Sequence, residues 1–449
     1  MSSSEIFKSL ERIKKLSEES RGLQIKDLIN STRLKRLSVH NDLVSYDYSK
    51  QRITQKTLDN LFLLPDLIDL KNKIKSLSTG DFMNNSEKRR VEHLLLRNTL
   101  ATKEVDEGHA TIIREQMKFK DFVVNLTSSQ PKIKSIVSIG IGGSRLGPDM
   151  LSEAFSKNNN INIYYSSSYD LIELKNILSL CDPKSTLIFT LSKSFKTPEV
   201  IDNSLYAREW MEKELGSKAR NNIYGVSSNS KEMTFHGIPK SNQFSISNSI
   251  GGRFSIWSSI SISAAIDIGW KDFSDFLLGA SMADKHFLNN PWEENIPVIM
   301  ALMNLWNTNG LNINNLGIFV YDFRIRSLPK YLSQLGMESN GKSYNSNNNV
   351  SPFHTSPLIW GSYGPEAQHS VFQWIQQGTY ESACDFIGIK DDENIEQHNA
   401  SNFALFSQIM AISLGEDNKE PYKSIKGNNP ISLFQLQELS PKNLGYLLA

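Results

Sequence analysis

Apolar residues in the first 120 positions recur at three- and four-residue intervals, which predicts helices. The runs 58–77 (LDNLFLLPDLIDLKNKIKSL), broken at Pro65, and 86–100 (SEKRRVEHLLLRNTL) show it most plainly. From Ile133 the pattern changes to short β-branched runs alternating with helical ones. IKSIVSI (133–139), NINIYYSSS (160–168), STLIFTL (185–191) and NNIYGVSS (221–228) read as strands, with GPDMLSEAF (147–155) and PEVIDNSLYAREWMEKEL (198–215) as helices among them. Such a βαβ rhythm predicts a parallel sheet covered by helices. A second block of the same kind follows Asn315. It comprises LGIFVYDF (316–323), a helix opened by Ser327 with Pro329 in its first turn, a strand near PLIWGS (357–362), a helix from about Glu366, and ACDFIGI (383–389). Between the blocks, FSIWSSISISAAIDIG (254–269) predicts a buried helix; its five serines and one Asp, and its length, do not suit a bilayer crossing. The expected fold is α/β. A helical region over 1–118 packs on the second domain, one α/β domain covers 119–268 and another covers 269–449, both with parallel sheets.

Composition narrows the function classes. At 449 residues, 39% hydrophobic and 22% charged, the chain is too long for one ordinary core, and Lys plus Arg number 49 against 48 Asp plus Glu. A field this near neutral offers no broad footing for nucleic acid or an anionic membrane, so any anion site is local. The N-terminus alternates charged and apolar residues and lacks the form of a signal peptide, which predicts a cytoplasmic protein. Cys181 and Cys384 are too few for a disulfide framework, and no His or carboxylate cluster has metal-ligand spacing.

Five places could carry chemistry. SIGIGGSRLGPDM (138–150) follows a predicted strand, where Gly140, Gly142 and Gly143 let the backbone approach an anion and Ser144 adds a hydroxyl. Arg145 occupies the last glycine position of a dinucleotide fingerprint and no Gly-Lys-Ser/Thr follows, so the loop is an anion turn or simply a tight strand-to-helix connection. SKSFKTPEV (192–200) brings Ser192, Lys193, Ser194 and Thr197 to the start of a helix with Pro198 in its first turn, a set that suits a phosphate monoester; Thr197 could equally be no more than an N-cap. QLGMESNGK (334–342) puts Gln334 and Glu338 four apart on one helix face, ending at an Asn-Gly turn, so Glu338 is either a cleft base or a solvated glutamate. His369 lies on a helix whose Phe372 and Ile375 face a core, and Arg253 sits between Gly252 and Phe254 as a site cation or one half of an ion pair.

Taken in order, SIGIGGSRLGP, LSKSFKTPE, GGRFSIWS, LPKYLSQLGMESNGK, AQHSVFQWIQQGT and GNNP closely resemble the glucose-6-phosphate isomerase family, with similarity running from about Tyr46 to the last residue. The resemblance implies two three-layer α/β domains of sugar-isomerase (SIS) type, a homodimer, and reversible conversion of glucose 6-phosphate to fructose 6-phosphate through a cis-enediol, without metal or organic cofactor. It makes Gly143, Ser144, Ser192, Ser194 and Thr197 the phosphate cradle, with Lys193 beside it. Glu338 becomes the carbon-proton base, Gln334 a neighbour in its pocket, Arg253 the cation near the enediolate, and His369 the ring-opening residue contributed by the neighbouring subunit. Ser194, Lys196, Pro198, Val200 and Gly336 depart from the usual family residues. The family also continues beyond the position of Ala449 through a segment carrying an active-site lysine and glutamine. That difference leaves an alternative expectation, a weak or inert sugar-phosphate-binding protein.

Overall fold

The β-branched runs form strands in the computed structural model, which describes all residues except 1–2, 21, 82–83, 85–86, 98–106, 129–131, 158–159, 346–347 and 391–394. In chain order the strands are β1 (Ser38–His40), β2 (Val44–Lys50), β3 (Ser135–Gly140), β4 (Asn162–Ser166), β5 (Thr186–Leu191) and β6 (Ile223–Ser227). They continue with β7 (Gln243–Ser245), β8 (Asn315–Val320), β9 (Leu358–Tyr363), β10 (Ala383–Ile389) and β11 (Ile431–Leu436). The described chain forms two compact units: a middle unit of residues Leu77–Ser281, and a split unit built from Met1–Ser76 together with Met282–Ala449. These boundaries differ from the expected breaks at 118 and 268, because residues before 77 supply strands to the sheet that the end of the chain completes. No helix among the described residues is long and apolar enough to cross a membrane.

The middle unit holds a parallel five-stranded sheet in the order β4-β3-β5-β6-β7. Strands β3 and β5 are buried at every position, as expected for central strands covered on both faces. Helix α1 (Leu146–Phe155) follows β3, and α2 (Pro198–Leu215) follows β5 over the range its apolar spacing predicts. One core cluster joins Val137, Ile139, Ile188, Val200, Ala207, Met211 and Ile223. Residues 254–269 are buried but not one helix. Two 3₁₀ turns, Gly252–Trp257 and Ser259–Ser261, precede an α-helix of only Ile262–Ile268. The serines cause this: Ser258 Oγ donates to the Ser255 carbonyl at 2.6 Å and Ser261 Oγ to the Ile256 carbonyl at 2.6 Å, competing with the helical ladder. Within 86–100, the described helix covers only His93–Arg97, after an isolated bridge of Arg89 with Asn84; 86 and 98–100 lie outside the described residues.

The split unit holds a six-stranded sheet in the order β1-β2-β11-β10-β8-β9, parallel except for the β1-β2 hairpin, which joins β11 antiparallel. The helical expectation for residues 1–118 missed this hairpin. VSYDYSK buries Val44, Tyr46 and Tyr48 on alternate positions, a period of two embedded among helical periods. The two units carry the three-layer α/β architecture expected from the resemblance, with helical segments such as Gln55–Leu61 and Leu64–Leu67 breaking at Pro65 as predicted. Crossover helix α3 (Leu328–Asn340) joins β8 to β9, and α4 (Gly364–Ala367) and α5 (Phe372–Gln377) follow β9. The chain ends in a helix, Pro441–Leu448, whose N-cap Ser440 accepts from the Asn443 N–H.

An acidic group sits inside this sheet. Asp385, in central strand β10 opposite Ser432 of β11, has its carboxyl pushed up to about 7 by desolvation, against a smaller opposing effect of the Ser432 hydroxyl. In the unfolded chain an Asp titrates near 4. Stability from this group is therefore complete below about pH 4 and is lost as pH rises through about 7, by up to about 1.4 kcal/mol per pH unit. Asp385→Asn is expected to remove that loss, so thermal denaturation at pH 5.5 and 8 should show a smaller pH shift in the variant than in the parent. An equal shift in both would exclude Asp385 as its source.

Candidate active site

The middle sheet reverses its direction of growth between β3 and β5: the chain leaves β3 for β4 on one side, then returns to place β5, β6 and β7 on the other. Open parallel sheets bind ligands beyond the strand C-termini at such a switch point. Gly140, the last residue of β3, pairs with Leu191, the last of β5. The two loops singled out in the sequence therefore leave the sheet side by side.

The first loop runs from exposed Ile141 through the 3₁₀ turn Gly142–Ser144. Gly142 has φ +57°, a left-handed conformation that glycine adopts without steric cost. Gly143 lies so near the Arg253 turn that an added Cβ would sit 2.6 Å from the Gly252 carbonyl oxygen and 2.9 Å from Arg253 Cα. That contact brings Arg253, in the 3₁₀ turn Gly252–Trp257, to the first loop. Arg253 lies over the Phe254 ring, its guanidinium carbon 5.6 Å from the centroid, and His93 stacks on the same ring at 4.9 Å. Burial, then the nearby Arg97, push the His93 imidazole down to about 3, so it is neutral packing at ordinary pH.

The second loop is strained and firmly held. Phe195 has φ +55°, a conformation that costs a non-glycine residue about 1–3 kcal/mol, and its ring is buried in the core of the unit. The Lys193 carbonyl accepts from the Ser228 N–H at 2.9 Å and from the hydroxyls of Ser227 and Ser228 at 2.8 Å each. Ser192 Oγ accepts from the Phe195 N–H at 3.1 Å and lies 3.2 Å from Thr197 Oγ1. Thr197 occupies the N-cap position of α2, yet its side chain makes no capping bond. Ser194 Oγ accepts from the Lys196 N–H, and Lys196 itself pairs with Glu232 at 3.1 Å. Lys193 Nζ donates to the Asn248 carbonyl at 3.2 Å; burial, and then the charges of Arg89 and Arg253, lower its ammonium to about 8. Gly143, Ser144, Ser192, Lys193, Ser194, Thr197 and Arg253 thus belong to one corner of the middle unit.

Arg145, which broke the dinucleotide pattern, is a strut. It pairs with Asp149 at 3.3 Å and Glu173 at 3.0 Å and bonds the Ser167 hydroxyl. Burial raises the Glu173 carboxyl, but the N–H groups of Ser167 and Ser168 and the charge of Arg145 outweigh it and hold the group below its ordinary range.

The split unit carries the other candidates. In α3, Gln334 Nε2 donates to Glu338 Oε2 at 3.0 Å, while Gln334 Oε1 is buried without a hydrogen-bond partner. Glu338 is exposed near the C-terminal end of the helix, which stops at Asn340 with Gly341 as its C-cap. This end of α3 meets the start of β9: the Ile359 N–H donates to Met337 Sδ at 3.3 Å, and a Cβ on Gly336 would fall 2.2 Å from Ile359 Cδ1. A side chain at 336 would require the Ile359 side chain to move. His369 follows the other end of β9, exposed in the turn between α4 and α5 rather than on a helix as expected, although Phe372 and Ile375 are buried as predicted. The six residues of β9 separate the Glu338 end from the His369 end by about 20 Å.

Comparison with known proteins settles which family folds this way. A family model described as phosphoglucose isomerase matches residues 47–449. The chain belongs to the phosphoglucose isomerase family. It is 34% identical over 482 residues to a glucose-6-phosphate isomerase of Acinetobacter baumannii, covering 99% of this chain and 87% of that one. It is 35% identical over 475 residues to the glucose-6-phosphate isomerase of Wigglesworthia glossinidia brevipalpis, covering 98% and 87%. A crystal structure of a glucose-6-phosphate isomerase from Chlamydia trachomatis superposes with a TM-score of 0.90 at 29% identity, over 98% of this chain and 88% of that one.

Within the phosphoglucose isomerase family reading, two middle-unit residues escaped the sequence analysis. Arg89 donates to the same Asn248 carbonyl as Lys193, at 2.8 Å, and His93 supports the ring under Arg253. EKRRVE (87–92) carries five charges in six residues and reads as solvated surface. The signal that identifies Arg89 is spatial, since it lies far from residue 248 in sequence.

Proposed function

We propose that this chain interconverts glucose 6-phosphate and fructose 6-phosphate as a cytoplasmic homodimer, serving glycolysis and gluconeogenesis. The observation that carries the reading is the pair of hydroxyls on Ser192 and Thr197, held at the N-terminus of α2 with Thr197 released from capping and Lys193 alongside. A helix N-terminus with hydroxyl and ammonium donors suits a phosphate dianion, and Gly143 and Ser144 present the neighbouring turn. Phosphate held there fixes the reacting carbons from a distance.

Glu338 removes the proton from the carbon beside the sugar carbonyl, and the bonding pair shifts to give a cis-enediolate. The same carboxyl, now protonated, returns the proton to the adjacent carbon while the enediolate's hydroxyl proton passes from one oxygen to the other, so the carbonyl moves one position with no net gain or loss of electrons. Arg253 stabilises the oxyanion that exists only along this path, which is where added charge accelerates the reaction. Gln334 orients the Glu338 carboxylate through its 3.0 Å hydrogen bond. His369 moves a proton between ring oxygen and hydroxyl when the pyranose opens, a task suited to imidazole. The distance along β9 supports a second copy as the source of the histidine, because one chain holds its Glu338 and His369 at opposite ends of that strand.

Replacing both Ser192 and Thr197 with Ala is expected to raise the KM for fructose 6-phosphate about 10- to 100-fold, as befits loss of two hydrogen bonds to a charged group, with a smaller change in kcat. A coupled steady-state assay reads both. An unchanged KM would remove the phosphate role of this loop.

A further inference from the structure

The 3₁₀ turn Gly252–Trp257, which carries Arg253, is gripped from several directions. Gly143 of the first loop lies against the Gly252 carbonyl at its start. The short helix His93–Arg97 covers its two rings: His93 stacks on Phe254 at 4.9 Å, and the Arg97 guanidinium carbon sits 4.4 Å from the Trp257 centroid. Trp257 also stacks on Phe276 at 4.5 Å. One side chain then joins the backbones of helix and turn. Gln116, buried in the helix Glu107–Ser128, donates from Nε2 to the Trp257 carbonyl at 2.8 Å and to the Leu96 carbonyl at 3.3 Å. Both partners are acceptors, so the amide nitrogen rather than the amide oxygen faces them. Beside this junction the packing is incomplete. A cavity of about 240 Å³ is lined by Leu96, Ile112 and Gln116, by Ile250 before the turn and by Ser258 after it.

We propose that Gln116 is a positioning residue for Arg253: its amide locks the end of the 3₁₀ turn to the helix His93–Arg97 and keeps the guanidinium aimed at the enediolate oxygen. The inference rests on the reading of Arg253 as the cation that stabilises the enediolate. Close packing holds a segment by contact on every side, and the cavity denies the turn that support on one side. The two hydrogen bonds supply it instead. Without them, the turn can relax into the adjoining space. A fixed charge accelerates a reaction only where the new charge develops, so a displaced turn weakens the transition state and spares the ground state. Phosphate binding is untouched, since Ser192 and Thr197 belong to a different loop.

The test uses the full chain with Gln116→Met, which keeps the length of the side chain and removes the donor, in the parent and in an Arg253→Gln background. Circular dichroism fixes an assay temperature at which each variant is folded. Gln116→Met lowers kcat about tenfold, less than the roughly 100- to 1,000-fold cost of deleting an oxyanion donor outright. The KM of fructose 6-phosphate and inhibition by inorganic phosphate stay within about twofold of the parent, the mark of an interaction made only in the transition state. In the Arg253→Gln background the same substitution has no further effect on kcat, because the group it positions is gone. Gln116→Asn, whose shorter amide cannot span both carbonyls, serves if Gln116→Met does not fold, with the same split expected. A parental kcat in the folded variant overturns the proposal, as does an equal loss in the Arg253→Gln background, which would make Gln116 a general scaffold residue. If Arg253→Gln lowers kcat and the Gln116 variant does not, only the inference about Gln116 fails; if Arg253→Gln turns over at the parental rate, the reading of Arg253 fails and takes this inference with it.

Discussion

Glu338→Gln is expected to lower the turnover of fructose 6-phosphate by about 100- to 10,000-fold, the range associated with loss of a positioned general base, with little effect on phosphate affinity. The substitution preserves shape. A glutamine at 338 still offers an oxygen to Gln334 Nε2, which now bonds Glu338 Oε2 at 3.0 Å, so the end of α3 keeps its local order. What disappears is the ability to accept a proton from carbon. Phosphate affinity is spared because Ser192, Lys193 and Thr197 are held by bonds of their own, to Asn248, Phe195 and the β6 end, none involving Glu338. Inhibition by inorganic phosphate should therefore match that of the parent. Turnover within a few fold of the parent would remove Glu338 from the base role, and a parallel loss of phosphate binding would show that the change had spread beyond the carboxyl.

Mixing two inactive variants should restore activity. In the proposed homodimer, Glu338→Gln and His369→Asn are each expected to be nearly inert on their own. Random reassortment makes half of the dimers mixed, and in each mixed dimer one of two sites combines an intact Glu338 with an intact His369 from the other copy. The expected recovery is about a quarter of parental activity for a symmetric two-fold dimer. The geometry behind this is the six-residue strand between the two side chains. If both came from one chain, every site in every mixture would still lack one of them. Co-expression with two different tags, purification of the mixed species and a steady-state assay distinguish the cases, and recovery no greater than background would place His369 in its own chain's site or outside the reaction.

The alternating blocks after Ile133 were legible because buried parallel strands concentrate β-branched residues, and the helix Pro198–Leu215 because Pro198 and an apolar stripe mark its start and its buried face. The β1-β2 hairpin was hidden for the opposite reason. Its alternation is only seven residues long, and its partner β11 lies far away in sequence, so nothing local announces the pairing. Serines at 255, 258 and 261 explain the lost helix, since their hydroxyls turn back on carbonyls three to five residues earlier. In the site, the loops at 138–150 and 192–200 could be read because glycine and hydroxyl residues cluster at strand ends. Glu338 obeys no such rule. It lies at the far end of a crossover helix, beside the start of β9 rather than the C-termini of the strands, so general topology alone gives no reason to select it. His369 and Arg253 were likewise single residues whose roles came from family resemblance, and Arg89 became visible only when Asn248 joined it to Lys193.

The split unit also has a history written into its order of synthesis. Strand β2 emerges early, but the strand it pairs with, β11, is translated last among the strands, some 380 residues later. At about 5–20 residues per second the ribosome needs some tens of seconds to deliver that partner, while the middle unit, contiguous from 77 to 281, has all its residues long before. During that interval Val44, Tyr46 and Phe434's future stacking surface on Tyr46 have no sheet to join. The nascent hairpin waits for β11 with these apolar side chains uncovered by it, and slowed elongation after residue 281 would lengthen that exposure without altering a single contact of the finished molecule.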